Sequence, residues 1–223
     1  MVFYSDIIYR TFDKKENLSV ITYTQHTSGK TEAYTEKLTS LLNLAAHLIA
    51  KEGYHKASIR KVAKAANLSI STLYHYFQEK EQLLFLIQYH TFDSLVQKLK
   101  EGLETISSPE KKLLAMIENH IQHFIQHMDE LKVCSRELEA LSGTYYQKVF
   151  QKRREYFNLT LKIIEELKNK YHNPDLDSRL ATLFLFGMLN WIYMWYKPSA
   201  KSSYPKMVKQ MYNLVIFGIK NTG

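Results

Sequence analysis

Between residues 69 and 77 the chain reads SISTLYHYF, and Ser69, Ser71, Thr72, Tyr74, His75 and Tyr76 all carry short or flat hydrogen-bonding groups. Such groups at helical spacing suit base edges and phosphate oxygens, while Leu73 and Phe77, four residues apart, would face inward. Just upstream, Arg60, Lys61 and Lys64 crowd one short segment. Residues 30–80 hold eight Lys/Arg against four Glu, a net of +4 within a chain of net charge +8. An excess of positive charge around polar, flat side chains is the chemistry of phosphate neutralisation by a protein that binds double-stranded DNA.

The elements that must position these groups are helices. From Thr35 to Glu52, Leu38, Leu41, Leu42, Ala45, Leu48 and Ile49 recur every three or four residues, and Gly53 follows as a stop. Ser58 is placed to cap a short helix with Ile59, Val62, Ala63 and Ala66 on one face. Asn67 tolerates the left-handed conformation a tight turn requires, Leu68 plugs the space beneath it, and Ser69 caps a third helix to about Phe77. A fourth opens at Gln78-Glu79-Lys80 and is carried by Leu83, Leu84, Ile87 and Leu95. Lys80 thus sits at a helix N-terminus, where free N–H groups already favour a phosphate. Two short helices joined by a three- to four-residue turn form a helix-turn-helix, whose second helix enters the major groove.

The stretch from Leu44 to Leu84, LAAHLIAKEGYHKASIRKVAKAANLSISTLYHYFQEKEQLL, resembles the N-terminal domain of the TetR/AcrR repressors. The run from Leu73 to Phe77 followed by Lys80 and Glu81 carries the likeness. Asn67 departs from the usual glycine, and Ile70-Ser71 departs from the usual polar pair, so base preference does not carry over. The resemblance implies that Thr72, Tyr74 and His75 face bases or adjacent phosphates. It also implies that Ser58, Tyr76 and Lys80 hold the backbone, beside Ser69, Ser71 and Arg60 from the residue reading. It further implies a homodimer on a palindromic operator, because one short recognition helix binds weakly and two half-sites bind tightly.

The rest of the chain fits long helices. Only 7 Gly and 4 Pro among 223 residues leave few interruptions. Ser108-Pro109-Glu110 starts a helix to about His127, a second runs from about Asp129 to Leu141, and a third from Thr144 to Tyr171. Asn173-Pro174-Asp175 starts an apolar helix to Tyr196, stopped by Pro198, and a last helix covers about Pro205 to Lys220. The expected fold is all-α. Residues 34–80 would form the helix-turn-helix domain, 81–105 a connecting helix, and 106–223 a ligand-binding and dimerisation domain. Residues 1–33, with β-branched and aromatic runs, would be an arm or small hairpin; Asp6 and Arg10 interrupt any signal-peptide core. Residues 180–196 are apolar but fall short of a membrane span and contain Asn190, so burial against the core and a partner subunit is expected.

Within the C-terminal half, GMLNWIYMWYKP at 187–198 resembles the signature of a TetR subgroup that represses fatty-acid and sterol breakdown and releases DNA on binding acyl-coenzyme A esters. RREYF at 153–157 is similar to a run in the long central helix of that subgroup. Trp191 and Trp195, at i and i+4, would offer a platform for an acyl chain, and Arg153 and Arg154, with Lys148 and Lys152, would meet coenzyme phosphates. Phe124, Tyr146, Phe157 and Asn190 complete the candidate effector set. The alternatives are a different hydrophobic effector, as in a repressor of efflux or detoxification genes, or a DNA-binding dimer without one. His120, His123 and His127 share a helical face, but no carboxylate sits at the proper spacing, and a pocket wall or half-exposed edge is expected rather than a metal site. Cys134, the single cysteine, suits a reducing cytoplasm and a packing role. No Gly-rich phosphate loop, G-x-S-x-G or His–carboxylate set suggests an enzyme, and no cofactor is implied.

Overall fold

The computed structural model describes the backbone of residues 30–197 and 204–220 and side chains from residue 34 onward. The expected arm or hairpin at 1–33 lies almost wholly outside the described residues, as does the stop at Pro198. Among the described residues all regular structure is helical: α1 Lys30–Glu52, α2 Ile59–Ala65, α3 Ile70–Tyr74, α4 Lys80–Leu103, α5 Pro109–Gln126, α6 Met128–Arg136, a 3₁₀ turn Leu138–Ala140, α7 Gly143–Lys170, α8 Ser178–Asn190, α9 Ile192–Trp195 and α10 Tyr204–Lys220.

Local chemistry sets these boundaries. Gly53 ends α1 at φ 83°, its N–H returning to Ile49 O at 2.8 Å. Ser58 Oγ accepts from Lys61 N and Ser69 Oγ from Thr72 N, so both expected N-caps form. Between them Asn67 adopts φ 54°. The third helix is shorter than its pattern predicts. After Tyr74 the N–H groups of His75 and Tyr76 bond to Thr72 O and Leu73 O, three residues back, and the last turn tightens.

The apolar helix expected from 173 to 196 is not continuous. The Asn173 side chain is spent on the loop before it, donating to Ile219 O at 2.9 Å and accepting from Leu176 N. Asp177 becomes the N-cap instead, accepting from Arg179 N and Leu180 N. A second break at Trp191 separates α8 from α9. Likewise the helix expected to reach Leu141 stops at Arg136 and finishes as the 3₁₀ turn.

Two apolar clusters hold the chain together. One gathers Leu41, Ala45, Ile49, Val62, Leu73, Phe77, Leu83, Leu84 and Ile87 around the short helices, with Val133, Leu141 and Val149 from later in the chain. The other joins α4 to α10 through Leu95, Leu99, Leu113, Ile117, Ile121, Tyr156, Ile164, Leu185 and Ile216. Helix α4 supplies both clusters and packs along α7, which makes it the axle of the molecule. Outside these clusters, α8 turns Leu180 and Phe184 outward and α10 turns Leu214 and Phe217 outward, and Trp191 is exposed at the end of α8. Phe184, Leu214 and Phe217 are each more than 60% exposed, apolar surface of the kind a partner covers. No helix among the described residues is long and apolar enough to cross a membrane.

Asn67 sets the angle between α2 and α3 through its positive φ. Asn67→Gly should leave the urea midpoint unchanged or slightly raised, and Asn67→Ala should lower stability by about 1 kcal/mol. Equal midpoints for the two variants would show that the turn does not need that conformation.

Candidate DNA-binding and effector sites

The recognition helix presents its polar side outward. Ser71, Tyr74 and His75 are exposed, Tyr74 at 49%, while Leu73 and Phe77 are buried in the core beneath. Ser69 and Thr72 are also engaged locally, since their hydroxyl oxygens lie 2.8 Å apart within the cap and fix the first turn of α3. Tyr76 is half-buried and stacks on Tyr34 of α1, ring centroids 5.1 Å apart. On α2, Arg60 and Lys64 are exposed and Lys61 pairs with Glu52. Lys80 starts α4, but its ammonium donates to His55 O at 3.1 Å and lies 4.2 Å from the Tyr54 ring. Burial lowers its pKa. Lys80 thus ties the turn after α1 to the start of α4, a structural role that its type and position did not announce.

The candidate effector residues separate into three places. Phe124 and Phe157 are buried in the C-terminal cluster, where Phe157 stacks with Phe186 and Phe124 sits 4.7 Å from the His120 ring. Arg153 is partly buried beside them, its Nη1 donating to Cys134 O at 3.0 Å and its guanidinium over the Phe92 ring. Lys152 pairs with Asp93 at 2.7 Å, and Arg154 is exposed. Tyr146 lies in the other cluster, stacked on Phe150. Asn190 is half-buried at the end of α8. The expected tryptophan platform is exposed rather than folded over a pocket: Trp191 and Trp195 are 58% and 54% exposed. Trp191 is the single residue between α8 and α9.

The histidines are the feature that residue spacing alone described least well. His120 and His123 are buried, and no group among the described residues meets any of their four ring nitrogens within hydrogen-bonding distance. Each orphaned buried polar group costs about 1–3 kcal/mol. The expectation that no carboxylate stands at suitable spacing is corrected, because Glu130 of α6, three residues after His127, reaches the histidines. Glu130 lies 3.2 Å from His127 Nδ1 and accepts from Thr91 Oγ1 at 3.0 Å, with His123 Nε2 at 3.7 Å, too far for a hydrogen bond. Burial works against this carboxylate, yet the imidazoles of His123 and His127 and the Thr91 hydroxyl outweigh it and hold Glu130 at about 2. Burial, with His123 beside it, pushes His120 down to about 3 and keeps it neutral. The described His, Cys, Asp and Glu residues form no group of three that could hold a metal ion. Cys134 is buried and its thiol is pushed up to about 12, chiefly by burial.

Residues 41–87 match the family of bacterial regulatory proteins named for tetR, and residues 107–219 match the tetracyclin repressor-like C-terminal domain. The chain belongs to the TetR family. This TetR-family protein is a DNA-binding transcriptional regulator and not an enzyme. It is 24% identical over 187 residues to the fatty acid metabolism regulator protein of Bacillus subtilis, covering 83% of this chain and 96% of that one. It is 26% identical to the transcriptional repressor KstR2 of Mycolicibacterium smegmatis, over 80% of this chain and 88% of that one. Its fold superposes on that of AibR, solved with isovaleryl coenzyme A and operator DNA, with a TM-score of 0.72 at 23% identity, over 80% of this chain and 97% of that one.

The buried imidazole makes a pH prediction for this TetR-family protein. A His whose folded pKa lies far below its ordinary 6.5 takes up a proton more readily when unfolded, so stability falls as pH drops from about 6.5 toward 3. Glu130 acts in the same sense at lower pH, and His127, whose pKa Glu130 raises, acts in the opposite sense. Urea unfolding at pH 7, 6 and 5 should therefore show a slope that His120→Leu flattens by up to about 1.4 kcal/mol per pH unit. An unchanged slope in the variant would mean that His120 is not held neutral.

Proposed function

We propose that this repressor is released from its operator by a long-chain acyl-coenzyme A and acts in the cytoplasm on genes of fatty-acid or related lipid breakdown. The observation that carries the reading is a match along nearly the whole length of a fatty acid metabolism regulator, with the effector half included. A TetR fold could serve any effector; likeness across the effector half narrows the choice. The signature at 187–198 and the aromatic core of the C-terminal cluster support an apolar ligand.

On this reading residues 34–80 bind DNA, 81–105 connect, and 106–223 hold the ligand and the partner. Ser71, Thr72, Tyr74 and His75 face bases or nearby phosphates. Ser58, Arg60, Ser69, Tyr76 and Lys80 position the phosphate backbone, Ser69 and Lys80 partly through the local bonds they already make. Phe124 and Phe157 line the acyl site, and Arg154 on the exposed side of α7, with the partly buried Arg153 and Lys148, meets the coenzyme phosphates. Trp191 and Trp195 belong with the dimer surface.

Two measurements test this. Fluorescence anisotropy of an operator fragment from beside the gene should show salt-sensitive binding, reversed by micromolar palmitoyl-CoA but not by palmitate or coenzyme A alone. Retention of the DNA at saturating palmitoyl-CoA would reject the effector. Tyr74→Ala should weaken operator binding about 10-fold without lowering Tm, and Arg60→Ala should reduce the salt slope by about 1. Wild-type affinity and salt slope in both variants would remove α2 and α3 from the interface.

A further inference from the structure

Within the C-terminal cluster the polar atoms that lack protein partners are concentrated on one side of α5. All four ring nitrogens of His120 and His123 are buried and have no hydrogen-bond partner among the described residues, Glu130 Oε2 standing 3.7 Å from His123 Nε2, and the two residues are 2% and 7% exposed. Their surroundings are otherwise aromatic. His120 lies 4.7 Å from the Phe124 ring and 6.0 Å from those of Tyr156 and Phe186, and His123 lies 5.1 Å from Phe124. Tyr156, by contrast, has Asn119 Nδ2 within 3.4 Å of its hydroxyl. Polar groups in such a setting are ordinarily paired, and an unpaired set is a place where a ligand atom completes the bonding.

The electrical character of the place restricts that atom. Glu130 stands as a carboxylate 3.7 Å from His123 Nε2 and would repel a second anion. His120 is held neutral and offers one N–H and one lone pair, not a positive charge. With the Glu130 carboxylate this close, a free carboxylate or a phosphate is disfavoured. An oxygen that is polar but uncharged fits: it accepts the N–H of an imidazole and, if a hydroxyl, also donates to a ring lone pair.

We propose that His120 and His123 form the polar end of the effector site and bind an uncharged oxygen, a carbonyl or a hydroxyl, carried on an apolar body. The inference rests on the acyl-coenzyme A reading and adds the group by which the acyl portion is told from a free acid. Two sources supply the same chemistry: the thioester carbonyl itself, or an oxygen substituent on the chain. Recognition by a buried hydrogen-bonding set is strongly discriminating, because a ligand without the oxygen leaves the site's own groups unpaired.

Binding to the full-length dimer is measured by titration calorimetry with palmitoyl-CoA, its thioether S-hexadecyl-CoA, which lacks only the carbonyl oxygen, and 3-hydroxypalmitoyl-CoA. If the thioester carbonyl is the ligand atom, wild type binds palmitoyl-CoA about 10-fold or more tightly than the thioether. His120→Leu then reduces palmitoyl-CoA to the thioether's affinity and leaves the thioether unaffected. If the source is the chain, palmitoyl-CoA and the thioether bind alike, and the 3-hydroxy ester binds about 10-fold tighter in a manner that His120→Leu or His123→Leu abolishes. The comparison of ligands on wild type alone stands even where a variant fails to fold. Equal binding of all three, with DNA release by each, overturns the histidine assignment and leaves the acyl-coenzyme A reading intact. Binding of none overturns both.

Discussion

The DNA-binding helices depend on a clamp that they do not themselves supply. Helix α6 and the turn behind it grip α1 and the loop that follows: Asp129 meets His47 at 2.8 Å, Glu137 Oε1 accepts from Tyr54 N at 3.1 Å, and Val133 enters the core beneath. Gln88 of α4 donates to Glu137 O, and Ser142 reaches back to Glu81 at the start of the same helix. The exposed His47 pair contributes little by itself. The buried Val133 and the partly buried Glu137 contacts help fix α2 and α3 in space, because two helices of seven and five residues enclose too little apolar surface to fix themselves.

That clamp also faces the other way. Glu130, one residue after Asp129, is held by His127 and Thr91, 3.7 Å from His123 Nε2, which has no hydrogen-bond partner among the described residues. One nine-residue helix therefore touches the DNA-binding core with one side and the histidine-lined side of the effector cluster with the other. A ligand atom that engages His123 alters the neighbourhood of Glu130. Any displacement of α6 is passed to α1 through Val133 and Glu137, and to α4, which lies in both cores. Packed helices move as units, so on the proposed reading a small displacement at the ligand would become a rigid shift of the recognition helix relative to its copy in the partner. The differential contacts an allosteric switch needs thus have a physical route.

Much of the DNA-binding half was legible in the sequence because its signals are local. Ser58 and Ser69 cap as their spacing predicts, Asn67 takes the left-handed turn, and Leu73 and Phe77 point inward. The effector half was legible as helices but less so as a site. A cap that loses its side chain to a distant carbonyl, as Asn173 does to Ile219, leaves no local trace, and neither does the break between α8 and α9. Glu130 was missed because it approaches the histidines from the next helix. The available hint was polar Gln88 and Thr91 at three-residue spacing among the apolar positions of α4. Lys80 was placed at its helix start by pattern, yet its contacts with His55 and Tyr54 come from tertiary structure that pattern does not encode.

The claim that effector binding alters the spacing of the two DNA-binding surfaces through α6 and α4 is tested most directly by a distance measurement in the dimer. Lys64 on α2 is exposed and Cys134 is buried with its thiol protonated, so a spin label on Lys64→Cys reports from the DNA-binding surface alone. Pulsed electron–electron double resonance should show the inter-label distance shift by a few ångströms, on the order of half a helical turn, when palmitoyl-CoA is added. The same shift should be absent when Val133, the buried link between α6 and α1, is cut back to alanine in a dimer that still binds the ligand. An unchanged distribution in the ligand-saturated, otherwise wild-type dimer would contradict the account.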